Sequence, residues 1–118
     1  MNRPKRVFIV DDQPSALKGL KAILAFYPEM LVVGEAMNGQ DAVWLIGEQQ
    51  PDVVVMDLQM PVMDGVEATR LIKRQWPAIK VIVLTVQAAR RAEAFAAGAD
   101  HFLLKGNGPE ELQQAIQS

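Results

Sequence analysis

Four short apolar runs, Val7 to Val10, Leu31 to Val33, Val53 to Met56 and Val81 to Leu84, are mostly β-branched, and each is separated from the next by a segment with helical punctuation. That alternation is the strongest constraint on the fold. Unbroken β-branched runs read as strands buried on both faces, because half-exposed strands would alternate apolar with polar residues. Phe102 to Leu104 makes a weaker fifth run. Between the runs, Pro14 opens a helix with Leu17, Leu20, Leu24 and Tyr27 at helical spacing, ended by Pro28. Asn38, with Asp41 three residues on, caps a second helix that carries Ala42, Val43 and Ile46 and stops at Pro51. Asp64 followed by Glu67 resembles a capping box for a third, which reaches about Trp76 and ends before Pro77. An alanine-rich stretch from Gln87 to Ala97, closed by Gly98, predicts a fourth helix, and Pro109 with Glu110 and Glu111 opens a fifth. Five β-α repeats predict an α/β fold, a doubly wound parallel sheet of five strands with right-handed crossovers and helices on both faces.

A chain of 118 residues has room for one such unit, spanning 1–118, and no repeat, low-complexity tract or linker interrupts it. Twelve basic against fourteen acidic side chains give a formal charge of −2, which argues against nucleic acid as a direct ligand. The absence of cysteine excludes a disulfide framework, a thiolate metal cluster and a cysteine nucleophile, and fits a reducing compartment. Met1 to Arg6 is basic, but the apolar run after it stops at Asp11, too short for a signal peptide or a membrane span. A soluble cytoplasmic domain is the expectation.

In doubly wound sheets the ligand crevice lies outside the carboxyl ends of the strands. Those ends carry Asp11 and Asp12 after the first strand, Asp57 after the third, Thr85 after the fourth and Lys105 after the fifth. Carboxylates crowded at one rim repel each other unless a cation stands among them, and hard oxygen ligands suit Mg²⁺. Three carboxylates with a lysine and a hydroxyl, and no histidine, are suited to neutralising phosphoryl oxygens rather than to acyl transfer. Each residue also has a plainer reading. Asp11 and Asp12 suit the helix start ahead of Pro14, Thr85 is a β-prone strand residue, Lys105 a solvated loop lysine and Phe102 a core aromatic.

The chain resembles the receiver domain of two-component response regulators, most closely receivers that precede helix-turn-helix DNA-binding output domains. The resemblance covers essentially all 118 residues. It is carried by Val7-Phe8-Ile9-Val10-Asp11-Asp12, by the nine residues Asp57-Leu58-Gln59-Met60-Pro61-Val62-Met63-Asp64-Gly65, by Val83-Leu84-Thr85, and by Ala97-Gly98-Ala99-Asp100 leading to Leu103-Leu104-Lys105. It implies a flavodoxin-like three-layer sandwich with strand order 2-1-3-4-5. It implies Asp57 as phosphoacceptor; Asp11, Asp12, Asp57 and the Gln59 backbone carbonyl as ligands of Mg²⁺ or Mn²⁺; and Thr85 and Lys105 as contacts of the phosphoryl group. Thr85 and Phe102 would form the switch, acting on the surface of the fourth helix, fifth strand and fifth helix. The implied partners are a sensor histidine kinase or phosphotransfer protein, and a second copy on phosphorylation. The implied output is a process such as transcription, with neither nucleic acid nor membrane bound by this unit. Such a domain catalyses its own aspartyl phosphorylation and slow dephosphorylation but is mainly a signalling switch.

The competing reading is a receiver-like module that signals by protein contact without phosphorylation; such modules usually lack one of the acid, threonine and lysine set. An aspartyl-phosphate phosphohydrolase needs a second acid where Gln59 stands, and Asp11-Asp12-Gln13-Pro14 replaces the glycine-rich turn of flavin or dinucleotide sites. Two features depart from the family pattern. Thr85 and Lys105 are closer in sequence than the family leads one to expect, by about two residues, and Gly106 follows the lysine where most receivers have a proline in a cis bond. Of the remaining residues, Met56, Met60 and Met63 read as core and turn packing, His101 as surface, Trp44 as partly exposed, and Arg90 with Arg91 as a solvated face.

Overall fold

β-branched side chains are stiff about χ1 and pack well on a pleated surface, and each predicted run does form a strand. In the computed structural model, which describes residues 3–118, these are β1 (Lys5–Val10), β2 (Met30–Ala36), β3 (Val53–Met56), β4 (Lys80–Thr85) and β5 (His101–Leu104). Met1 and Asn2 of the basic opening lie outside the described residues. All pairings are parallel and the order is β2-β1-β3-β4-β5. Val10 of β1 stands beside Met56 of β3, so the residues that follow them, Asp11 and Asp57, emerge as neighbours.

The helices are α1 (Pro14–Leu24), α2 (Gly39–Gln49), α3 (Gly65–Gln75), α4 (Arg91–Ala96) and α5 (Pro109–Gln117). Successive strand residues face opposite sides, and β1 divides accordingly. Val7 and Ile9 join Leu17, Leu20 and Leu24 of α1 and Leu112 and Ile116 of α5 in one core layer. Phe8 and Val10 join Ile46 of α2, Ile72 of α3 and Ala94 of α4 in the other. Each fully buried Val, Leu or Ile adds about 1.5–3 kcal/mol, so the two layers supply most of the driving force.

The caps are as the sequence indicated. Asn38 Oδ1 accepts from the Asp41 amide at 2.8 Å, and Asp64 Oδ1 from the Glu67 amide at 3.1 Å. Glu67 does not complete a capping box; its carboxylate pairs with Arg70.

Three elements depart from expectation. β2 is an edge strand rather than one buried on both faces, and Leu31 is 52% exposed. Its register with β1 shifts between Val7 and Phe8, where Gly34 lies against the Phe8 ring; a Cβ there would meet the ring at 2.7 Å. α1 ends at Leu24 rather than at Pro28, and a turn from the Leu24 carbonyl to the Tyr27 amide follows it. The fourth helix is divided: Ala88–Arg90 form a 3₁₀ turn and α4 is only six residues long. Residues 86–93 bury no side chain, so nothing apolar draws the first part of that stretch into an α-helix. Gly98 closes α4 as predicted, at φ +110°, with the Ala99 amide returning to the Ala94 carbonyl.

Candidate functional site

Parallel strands end on one edge of the sheet, and that edge collects Asp11, Asp12, Asp57, Thr85 and Lys105. Asp11 is 1% exposed and Asp57 8%, while Asp12 is half-buried. One carboxylate oxygen from each of the three acids lies within 4.8 Å of the others.

The two buried carboxylates are held in the same way. Asp11 Oδ1 accepts from the Gln13 amide at 3.0 Å and Asp57 Oδ1 from the Leu58 amide at 2.8 Å. Their second oxygens share the Lys105 ammonium, which donates to Asp11 Oδ2 at 2.6 Å and to Asp57 Oδ2 at 3.3 Å. Burial pulls the Lys105 pKa down, but the Asp11 hydrogen bond and the charges of Asp57 and Asp11 outweigh it and hold the pKa above the ordinary 10.5. Lys105 is therefore a fixed cation. Against three carboxylates it leaves a net negative, all-oxygen cluster, the donor set that suits a hard divalent cation.

The backbone fixes this arrangement. The Asp57 amide donates to the Val10 carbonyl at 3.0 Å, and the Lys105 amide to the Thr85 carbonyl at 2.9 Å. Gly65 brings the first turn of α3 against the loop that follows Asp57; a Cβ at Gly65 would lie 1.9 Å from the Asp57 carbonyl oxygen. In the same loop Val62 takes φ +70°, a strained setting for a β-branched residue. Gly106, directly after Lys105, takes φ +96° in open space, so the lysine loop turns through glycine.

Thr85 is 1% exposed, and its Oγ1 accepts from the Gln87 amide at 3.2 Å. The Gln59 side chain is exposed and turned to Gln87. Phe102 is 9% exposed, its ring 6.4 Å from that of Phe95.

A family model described as the response regulator receiver domain matches residues 7–117. The chain belongs to that family. Among curated relatives, the receiver is 38% identical over 115 residues to the transcriptional regulatory protein LnrK of Bacillus subtilis, covering 96% of this chain and 52% of LnrK. It is 41% identical over 114 residues to the response regulator GacA of Pseudomonas aeruginosa, covering 95% and 53%. The receiver thus spans about half the length of the curated relatives it matches. Among solved structures, a LuxR-family two-component response regulator from Aurantimonas sp. SI85-9A1 superposes with a TM-score of 0.91 at 37% identity, over 97% of this chain and 83% of that one. The response regulator domain of Thermotoga maritima CheB gives 0.88 at 36% identity, over 98% and 96%. Among the described residues no helix is long and apolar enough to cross a membrane.

Two residues of the receiver to which the sequence assigned no part in the site, Gln87 and Arg90, border this cluster. Gln87 donates through Nε2 to Gln59 Oε1 at 2.9 Å, joining the turn after β4 to the loop after β3. Arg90 is not part of a solvated face: it pairs with Asp64 at 3.0 Å and with Glu93 at 2.8 Å. Arg91 lies over the Phe95 and Phe102 rings, 4.9 and 5.9 Å from their centres. The 3₁₀ turn brings Arg90 over α3, while Arg91, the first residue of α4, stays exposed. His101 is half-buried and meets Ser118 Oγ at 3.2 Å, and Trp44 is 70% exposed.

Proposed function

We propose that this receiver is a phosphorylated switch in which Asp57 takes a phosphoryl group from a histidine kinase or a phosphotransfer protein. The observation that carries the reading is the shared Lys105 ammonium, a fixed cation between two buried carboxylates at the carboxyl edge of a parallel sheet. A carboxylate is a weak nucleophile and must approach an anionic phosphoryl group, so charge neutralisation and positioning carry most of the catalysis. The Leu58 amide orients the Asp57 carboxylate. An Asp57 oxygen forms the bond to phosphorus while the donor's bond breaks and its electron pair leaves with the donor. Lys105 then moves from pairing Asp57 to pairing a phosphoryl oxygen, and the Thr85 hydroxyl donates to another.

Asp11, Asp12, Asp57 and the Gln59 carbonyl would hold Mg²⁺ or Mn²⁺. When bound, the ion supplies the positive charge that three acids and one lysine lack. The receiver unit of residues 1–118 would control an output such as transcription through α4, β5 and α5, with Thr85 and Phe102 as the switch. The longer relatives, which carry the names of transcriptional regulators, support that reading. The test is binding of BeF₃⁻, a phosphoryl mimic, in the presence of Mg²⁺, followed by amide NMR. Wild type should shift around Asp57 and Lys105, and Asp12→Ala should not; equal shifts in both would remove Asp12 from the metal site.

A further inference from the structure

The turn after β4 has no apolar anchor. Val86 is 74% exposed, Ala88 and Ala89 are exposed, and only Gln87 and Arg90 turn inward. Everything that holds the turn is polar. Arg90 Nη2 donates to Asp64 Oδ2 at 3.0 Å, its Nε to Glu93 Oε1 at 2.8 Å, and its Nη1 to Gln87 Oε1 at 3.4 Å. Gln87 in turn reaches Gln59 through its side chain and Thr85 Oγ1 through its amide. Arg90 therefore anchors a chain of hydrogen bonds that ends at Thr85 on β4 and at Gln59 in the loop that follows Asp57. The anchor point is rigid, since the other oxygen of Asp64 caps α3. Burial would raise the Asp64 pKa, but the Glu67 amide and Arg90 bring it below the usual value, so the pair stays charged at neutral pH.

We propose that Arg90 is a positioning residue for the Asp57 site: its ion pair with Asp64 straps the turn at residues 86–90 across the β3 and β4 side of the acceptor and prolongs the life of the phosphoryl group. The inference rests on the phosphoacceptor reading given above. In hydrolysis a water oxygen bonds to phosphorus, the bond from the Asp57 oxygen to phosphorus breaks, and the carboxylate keeps the electron pair. The water's protons pass to orthophosphate and solvent. With the strap closed, the bridge from Gln87 to Gln59 obstructs the water's approach; with it open, that side of the acceptor is wet. The side chains of Asp64 and Arg90 are 38% and 23% exposed, so salt screens the pair and loosens the strap.

Asp64→Asn keeps an N-cap residue and removes the ion pair, and Arg90→Gln keeps a long polar side chain without the charge. After loading with acetyl phosphate and Mg²⁺, each variant should lose its phosphoryl group about two- to fivefold faster than wild type at low ionic strength. The double variant should be no faster than Arg90→Gln alone, because that variant already removes the ion pair with Asp64. Arg90→Lys should fall between. At about 1 M salt the wild type should decay as fast as the variants, a convergence that a merely structural role would not produce. Wild-type decay in both single variants at low salt, or additive effects in the double, would overturn the strap. Amide hydrogen exchange at residues 86–90 of the unphosphorylated proteins is a second readout. Faster exchange in both variants supports the strap, and unchanged exchange overturns it. If no protein takes up a phosphoryl group, the acceptor reading has failed, and this exchange decides the strap by itself.

Discussion

Lys105 divides one ammonium between Asp11 and Asp57, and its raised pKa fixes the sign of its pH dependence. A group whose pKa is higher folded than unfolded stabilises the fold fully below the unfolded value, here near 10.5, and loses that contribution as pH climbs through the folded value. Lys105→Met should therefore lower stability at pH 7 by about 1–3 kcal/mol, the cost of leaving buried charge unpaired, and should flatten the alkaline limb of the stability curve. Urea unfolding between pH 7 and 11 measures both; an unchanged alkaline limb would mean that the ammonium contributes nothing. Asp11, Asp57, Thr85 and Lys105 were legible in the sequence because each ends or follows a strand, and a parallel sheet brings such ends together. Gln87 and Arg90 were not. Their partners Gln59 and Asp64 lie 28 and 26 residues away, and the contacts depend on a 3₁₀ turn that alanine-rich sequence disguises as helix.

At the scale of elements, α1 carries an avoidable cost. Gly19 is exposed within the helix, and a Cβ built there meets nothing within 4 Å. Gly19→Ala should stabilise the receiver by about 0.5–1 kcal/mol and raise the melting temperature by a few degrees, since alanine loses less backbone freedom on folding. Calorimetry that showed no gain would mean that the open face of α1 is already engaged by something else. The local sequence signals were strongest where one physical cause dominates: Asn38 and Asp64 cap helices through their own side chains, and Gly98 alone accepts φ +110°. They were weakest at β2 and α4. A run of Leu31, Val32 and Val33 says nothing about whether a second neighbour exists, and only the strand order makes β2 an edge. Residues 86–93 bury no side chain, and α4 keeps only the turns that bury Ala94 and, at its C-cap, Ala97.

For the whole molecule the question is how an event at Asp57 reaches α4, β5 and α5. Thr85 Oγ1 is engaged by the Gln87 amide, while Phe102, on the neighbouring strand, packs against Phe95 under Arg91. If Thr85 moves to donate its hydroxyl to a phosphoryl oxygen, the end of β4 moves with it and the aromatic pair beside it loses its present setting. A bound group moves a two-state equilibrium only by its differential affinity, and one charge-assisted hydrogen bond is worth about 1.5–3 kcal/mol. Thr85→Ala should accordingly keep BeF₃⁻ binding at Asp57 while the NMR shifts over residues 86 to 105 shrink; full shifts in that variant would send the signal by another route. All of this depends on Asp57 being the acceptor. The most direct measurement is mass spectrometry of the protein after incubation with acetyl phosphate and Mg²⁺, with the modified peptide mapped. One phosphoryl group on Asp57, absent in Asp57→Ala, is the result the account predicts. An adduct that survives Asp57→Ala, or a wild-type protein that takes up none, would contradict it.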